Sequence, residues 1–140
     1  MIKFEQRFDE YAYRVADEYL DDSVATVEEG QWVTFNEFGK LVIAGADATK
    51  AFIAIGSKRA GRNLVGGVPV KKVAFLHGVF RLEVSNFDPA GTYNTTMTPL
   101  KIADGGILTP WDSVADAGKK PIVAYAKGQP VNGYLKIFSA

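Results

Sequence analysis

From residue 23 onward, the chain consists of short segments rich in β-forming residues, separated by turn residues about every 8 to 12 positions. Trp32-Val33-Thr34-Phe35 is such a segment, and Asn36-Glu37-Phe38-Gly39 turns the chain before residues 40–44. No long helical pattern follows residue 22. This spacing predicts about eight or nine short strands in an all-β fold, a small β-barrel or sandwich over residues 23–140.

Several pairs of segments predict hairpins. The clearest joins residues 97–102 to 107–111, because Asp104-Gly105-Gly106 supplies the positive-φ residues of a tight turn. Residues 68–76 and 78–84 form a second predicted pair, and residues 121–126 and 133–138 close the chain. Residues 23–27 alternate as a strand would, residues 55–67 indicate a basic glycine-rich loop, and residues 112–119 indicate one helical turn.

Residues 1–22 differ from the rest of the chain and are interpreted as an N-terminal arm. Their aromatic and apolar residues recur every three or four positions, a helical spacing: Phe4, Phe8, Tyr11, Val15 and Tyr19. Residues 11–15 also fit a strand. An amphipathic helix or partly ordered arm is the favoured interpretation. So many aromatic side chains need a surface to cover them, either on this domain or on another chain.

The neutral net charge hides a marked asymmetry. Residues 1–29 carry nine acidic and three basic side chains, a net charge of −6, and the remainder carries +6. The acidic arm is expected either to fold onto its own basic domain or to contact a neighbouring subunit. Candidate basic contacts are Lys58, Arg59, Lys71 and Lys72.

The residues for catalysis or metal binding are scarce. The 140 residues include no cysteine and one histidine, His77, so no thiolate site exists and a zinc or iron site is not expected. No serine lies in a nucleophile elbow, and the acids of residues 30–140 lie mainly in turns. The sequence predicts no enzyme activity, no cofactor and no metal. It contains no apolar run that would span a membrane, and its first residues do not resemble a signal peptide.

Two binding functions stay open as alternatives. Lys58, Arg59 and Arg62 would suit nucleic acid, although the neutral chain and its acidic arm make that partner unlikely. Trp32 and Trp111 are interpreted as core residues whose indole N–H meets a carbonyl group. Either would suit a glycan if it were exposed. A β-barrel module for glycan or nucleic acid, or a tail or baseplate component, is therefore kept beside the main hypothesis.

That hypothesis comes from a resemblance over residues 24–138 to the capsid decoration (cement) proteins of tailed bacteriophages. The chain is similar to them in its order of strand segments and glycine turns rather than in a catalytic motif. The similar segments are Val27-Glu28-Glu29-Gly30-Gln31-Trp32-Val33, Ile53-Ala54-Ile55-Gly56-Ser57, Phe80-Arg81-Leu82-Glu83-Val84, Leu100-Lys101-Ile102-Ala103-Asp104-Gly105-Gly106-Ile107-Leu108 and Lys127-Gly128-Gln129-Pro130-Val131-Asn132-Gly133-Tyr134-Leu135-Lys136-Ile137. The acidic, aromatic arm of residues 1–22 is a difference from the shorter members of that family.

The resemblance implies a structural protein that binds the outside of an assembled phage head. Such a protein clamps neighbouring major capsid subunits, often as a homotrimer, and is made in the host cytoplasm before it joins the virion. Because many copies bind the same capsid, a small interface per copy is enough for stable attachment. The arm is the expected contact with the major capsid protein or a second copy, through Phe4, Phe8, Tyr11, Tyr13 and Tyr19.

Overall fold

A computed structural model of the chain describes residues 2–4, 12–55, 59–65, 68–93 and 96–140. Within these ranges the regular structure is entirely β, with no helix. The strands are β1 (Ile2–Phe4), β2 (Ala12–Tyr19), β3 (Trp32–Phe35), β4 (Leu41–Ile43), β5 (Phe52–Ala54), β6 (Arg59–Val65), β7 (Val68–Gly78), β8 (Arg81–Val84), β9 (Met97–Ala103), β10 (Ile107–Pro110), β11 (Ala124–Lys127) and β12 (Leu135–Ser139).

The strands form two antiparallel sheets. The first sheet has the order β1-β8-β12-β11-β9-β10. The second has the order β2-β7-β5-β3-β4, and β6 also pairs with the long strand β7. A register shift between Val15 and Glu18 bends β2 along β7.

The core lies between the sheets. Successive residues of a strand face opposite sides, so buried and less buried residues alternate along β8 and β9, and the buried residues of β9 are Thr98, Leu100 and Ile102. Leu100 and Ile102 meet Trp32, Ile53 and Leu76 from the second sheet in one hydrophobic cluster. The fold is therefore a small β-sandwich.

A second hydrophobic cluster covers the other face of the second sheet. Val33, Ala54 and Phe75 each adjoin a residue of the main core in sequence, so they face the opposite side. Residues 20–27 pass over this face and bury Leu20, Val24 and Val27 against it. The segment that follows β2 is thus packed rather than free.

The all-β fold class is confirmed, together with several of its predicted elements. β3 and β4 form the hairpin around residues 36–39, β9 and β10 pair around Asp104-Gly105-Gly106, and β11 pairs with β12. In residues 112–119, the Asp116 N–H donates to the Asp112 carbonyl at 2.9 Å, a single turn of helical type.

Other predictions need correction. The helical interpretation of the arm is wrong over residues 12–19, because pairing with β7 satisfies this backbone as a strand. Residues 59–65 form β6 rather than a loop, residues 23–27 are not a strand, and β7 and β8 do not pair. Gly78 at φ 108° ends β7, and the chain crosses to the first sheet. The division between residues 1–22 and 23–140 stays a prediction.

Candidate interaction surfaces

The predicted aromatic anchors that the structure describes lie on two different sheets. Phe4 lies in β1, in register with Leu82 of the first sheet, whereas Tyr13 lies in β2, in register with His77 of the second. The Tyr19 side chain is 46% exposed, and Lys72 Nζ lies 4.8 Å from its ring centroid. Phe8 and Tyr11 lie outside the described residues.

The sheet edges differ in how they are covered. Leu20 bridges to Leu41 and the Asp21 N–H donates to the Leu41 carbonyl, which covers β4. On β10, Leu108 exchanges hydrogen bonds with Asn86 and Asp88. Among the described residues, the edges without a further partner belong to β1, β2 and β6. The arm therefore supplies an edge strand to each sheet.

The outer face of the first sheet carries two rows of side chains that cross its strands. In the first row, Phe138 is in register with Arg81 on one side and with Tyr125 on the other, and Tyr125 is in register with Pro99. The Tyr125 and Phe138 rings stack with centroids 5.6 Å apart and planes at 23°. The strand pairing thus creates an aromatic row on the solvent side.

The second row is basic. Lys136 is in register with Glu83, and Lys127 with Met97. Because Ala126 pairs with Ile137, Lys127 and Lys136 are neighbours across β11 and β12. Both lysines are exposed, as is Met97, with 52% of its surface accessible.

A groove of about 370 Å³ lies between these rows. Its walls are Arg81, Thr96, Met97, Lys127, Lys136, Ile137 and Phe138. In the described part of the chain, no carboxylate lies within 4 Å of its three cationic groups. Sequence reasoning did not identify this basic groove. Alternation within β11 and β12 indicates which residues share a face. The groove itself depends on the order and register of the strands, which the sequence does not show locally.

Lys101 lies on the same face but is neutralised. Its Nζ donates to Asp116 Oδ2 at 2.7 Å, and the Asp112 N–H donates to that oxygen at the same distance. The Lys101 hydrogen bond, followed by the one from Asp112, lowers the pKa of Asp116 below its ordinary value of 3.8. This ion pair holds residues 112–120 against the sheet.

The two tryptophans differ from each other. Trp32 is 2% exposed, so it offers no platform for a sugar, and its Nε1 has no partner among the described residues, against expectation. Trp111 is half-buried, and its Nε1 donates to the Lys120 carbonyl at 2.9 Å, as expected. Trp32 also lines a second cavity of about 390 Å³ with Phe52, Phe80 and Val123.

The remaining candidate residues that the structure describes lie on the paired strands β6 and β7, where Arg59 is in register with Lys72. His77 lies within β7, Arg59 and Arg62 lie in β6, and Lys58 lies outside the described residues. The ranges that the structure describes bring together no three histidine, cysteine or acidic side chains able to hold a metal. They also contain no helix long and apolar enough to cross a membrane.

Comparison of the chain with protein-family models, with curated proteins and with solved structures finds no match.

Proposed function

We propose that the chain is a structural protein that binds the outside of an assembled phage head and stabilises it by bridging major capsid subunits. The observation that carries this proposal is the placement of the arm as an edge strand on each sheet. In this proposal the protein acts as a homotrimer on the outer surface of the virion.

Edge strands favour assembly because they present unpaired N–H and C=O groups to another chain. β2 extends over eight residues, and β1 lies on the other sheet. Neither edge has a further partner among the residues that the structure describes, so the molecule could contact two neighbours at once, which is the geometry that bridging needs. The exposed ring of Tyr19 adds an aromatic contact beside one of these edges.

The sequence resemblance adds support of a different kind. Its segments fall on regular elements: residues 80–84 contain β8, and residues 100–108 contain the turn between β9 and β10. Residues 12–19 form a strand of the second sheet, so this part of the arm belongs to the sandwich. A tail or baseplate component would differ from the proposed protein in its partner rather than in its fold.

A glycan or nucleic-acid module has less support. Trp32 is buried, so the sugar hypothesis keeps only Trp111, whose indole is half-buried. In the aromatic row, the Tyr125 and Phe138 rings stack on each other, so one face of each ring is not available to a base.

A head-stability assay tests the proposal. Heads of the encoding phage, prepared without this chain, are heated with and without the purified protein, and released DNA is measured with an intercalating dye. We expect added protein to raise the release temperature in a saturable manner. The matched control is bovine serum albumin at equal mass. An unchanged release temperature at saturating protein would contradict stabilisation of the head.

A further inference from the structure

We infer that the groove on the outer face of the first sheet binds an acidic peptide segment of a partner protein, in which carboxylates flank an apolar side chain. The three cationic groups at the groove are Arg81, Lys127 and Lys136. The charge of this face is therefore complementary to carboxylates.

The arrangement of the lysines is not explained by folding. Like charges directly opposite each other on neighbouring strands destabilise a sheet, and Lys127 and Lys136 are such neighbours. Lys101 on the same face has Asp116 at 2.7 Å, and Glu83 is the one acidic side chain in register with the basic row. A bound carboxylate would relieve the repulsion that the fold leaves in place.

The groove also has an apolar part. Met97 is 52% exposed and lines the groove together with Phe138, and an exposed methionine adapts its shape to different apolar partners. The volume of about 370 Å³ lies near the lower end of ligand pockets, about 300–1,000 Å³. It is suited to one apolar side chain with flanking charges rather than to a folded surface.

An acidic peptide fits this face better than a single-stranded nucleic acid does. Nucleic-acid grooves combine basic residues with aromatic faces on which bases stack. Here Tyr125 and Phe138 stack on each other, and Pro99 and Arg81 are their outer neighbours in register. Because one face of each ring is covered by the other ring, the row has less stacking surface for bases than two separate rings would have, and an aliphatic side chain can pack beside it.

The test is fluorescence anisotropy with the full-length protein and a labelled peptide of glutamates around a central leucine. The variant Lys127→Glu/Lys136→Glu is compared with Lys50→Glu/Lys119→Glu, which changes the net charge equally at two exposed lysines outside the groove. We expect saturable binding that weakens by at least about tenfold in the groove variant and by less than about twofold in the control. Replacing the leucine of the peptide by serine is expected to weaken binding as well.

Circular dichroism confirms folding of each variant, and Lys127→Gln/Lys136→Gln replaces the charge reversal if that variant unfolds. Absence of saturable binding, or equal weakening in both double variants, would overturn the inference. Tighter binding of a labelled thymidine oligonucleotide than of the peptide would instead assign the groove to nucleic acid. The assay contains no phage heads, so its result is independent of the proposed head binding.

Discussion

The Tyr93 hydroxyl anchors the loop of residues 86–93. The side chain is 4% exposed, its hydroxyl donates to the Asp88 carbonyl at 2.7 Å, and Phe87 packs edge-on at 5.7 Å. We expect Tyr93→Phe to lower the free energy of unfolding by about 1 kcal/mol at neutral pH, because the Asp88 carbonyl loses one of its two donors and keeps only the Gly91 N–H at 3.2 Å. Urea denaturation measures the change, and Tyr125→Phe, which alters a half-buried tyrosine elsewhere, is the control.

The same tyrosine predicts a response to alkali. Burial, and secondarily the charge of Asp88, raises the pKa of Tyr93 from 10.0 to about 12. The unfolded state therefore loses its proton first, and the contribution of Tyr93 to stability declines as the pH rises from 10 through 12. Tyr93→Phe is expected to show a smaller alkaline loss of stability than the native chain, and an identical loss would contradict this assignment.

Asp116 predicts a loss of folding stability at acidic rather than alkaline pH. Its folded-state pKa lies below the ordinary value of 3.8, so its contribution is present above that pH and is lost as the pH falls through the folded-state pKa. We expect Asp116→Asn to lower the melting temperature at pH 7 and to reduce the further loss between pH 4 and pH 2. Asp47→Asn, at a fully exposed carboxylate 3.1 Å from Lys120, is the control and should change neither quantity appreciably.

At the scale of elements, the turn between β9 and β10 joins the two sheets. The Trp32 N–H donates to the Gly106 carbonyl at 2.9 Å, and a Cβ at Gly106 would approach the Trp32 carbonyl oxygen to 2.6 Å. Gly105 also has a positive φ, of 88°, but its added Cβ meets nothing within 4 Å.

These adjacent glycines form a matched pair for mutation. We expect Gly105→Ala to cost about 1 kcal/mol of stability, the ordinary penalty of the left-handed conformation. Gly106→Ala should cost at least about 3 kcal/mol, since it also pushes the sheets apart. Chemical denaturation measures both values. Equal costs would show that the approach of Gly106 to Trp32 is not a constraint.

The arm makes a prediction that separates binding from folding. Tyr19→Ser removes an exposed ring and one cation–π contact, so stability should fall by no more than about 1 kcal/mol. In the proposed function, the same change lowers the amount of protein bound to heads. Phe38→Ser, at an aromatic side chain that is 77% exposed on the β3–β4 turn, is the control. Equal occupancy of Tyr19→Ser and native protein would contradict the role of Tyr19 as an anchor.

Elements with local signals could be predicted from the sequence, and those that depend on distant partners could not. Asp104-Gly105-Gly106 specifies its hairpin because glycine supplies the turn geometry locally. The leader satisfies a helical spacing, yet residues 12–19 form a strand because β7, some 60 residues away, offers its edge. Glycine content similarly suggested a loop where β6 pairs with β7.

At the scale of the whole molecule, the sequence predicted the class of fold but not the sheet order. The alternation of apolar and polar residues identifies the buried face of β8. It does not reveal that the chain crosses to the other sheet at Gly78, or that β8 pairs with β12. The basic groove depends on that order, since its residues come from β8, β9, β11 and β12 and from Thr96. No local sequence pattern indicates that these residues lie together.

The charge difference between the acidic residues 1–29 and the basic remainder is also a property of the whole molecule. Within one molecule, Lys72 of the basic part already contacts Tyr19 at the end of β2, so part of the acidic segment lies on its own domain. Among the described residues, the outer edges of β1 and β2 have no further partner, and in the proposed function they contact other molecules. The molar mass of the purified protein, measured by light scattering, shows whether the homotrimer of the proposed function forms before it docks on the head.

Co-sedimentation with heads that lack this chain tests the central claim most directly. The account predicts binding that saturates at a fixed ratio to the major capsid subunit. It further predicts less binding by Tyr19→Ser, with Phe38→Ser close to native. Protein that stays in the supernatant at every concentration, while retaining its native circular dichroism spectrum, would contradict the assignment to the phage head.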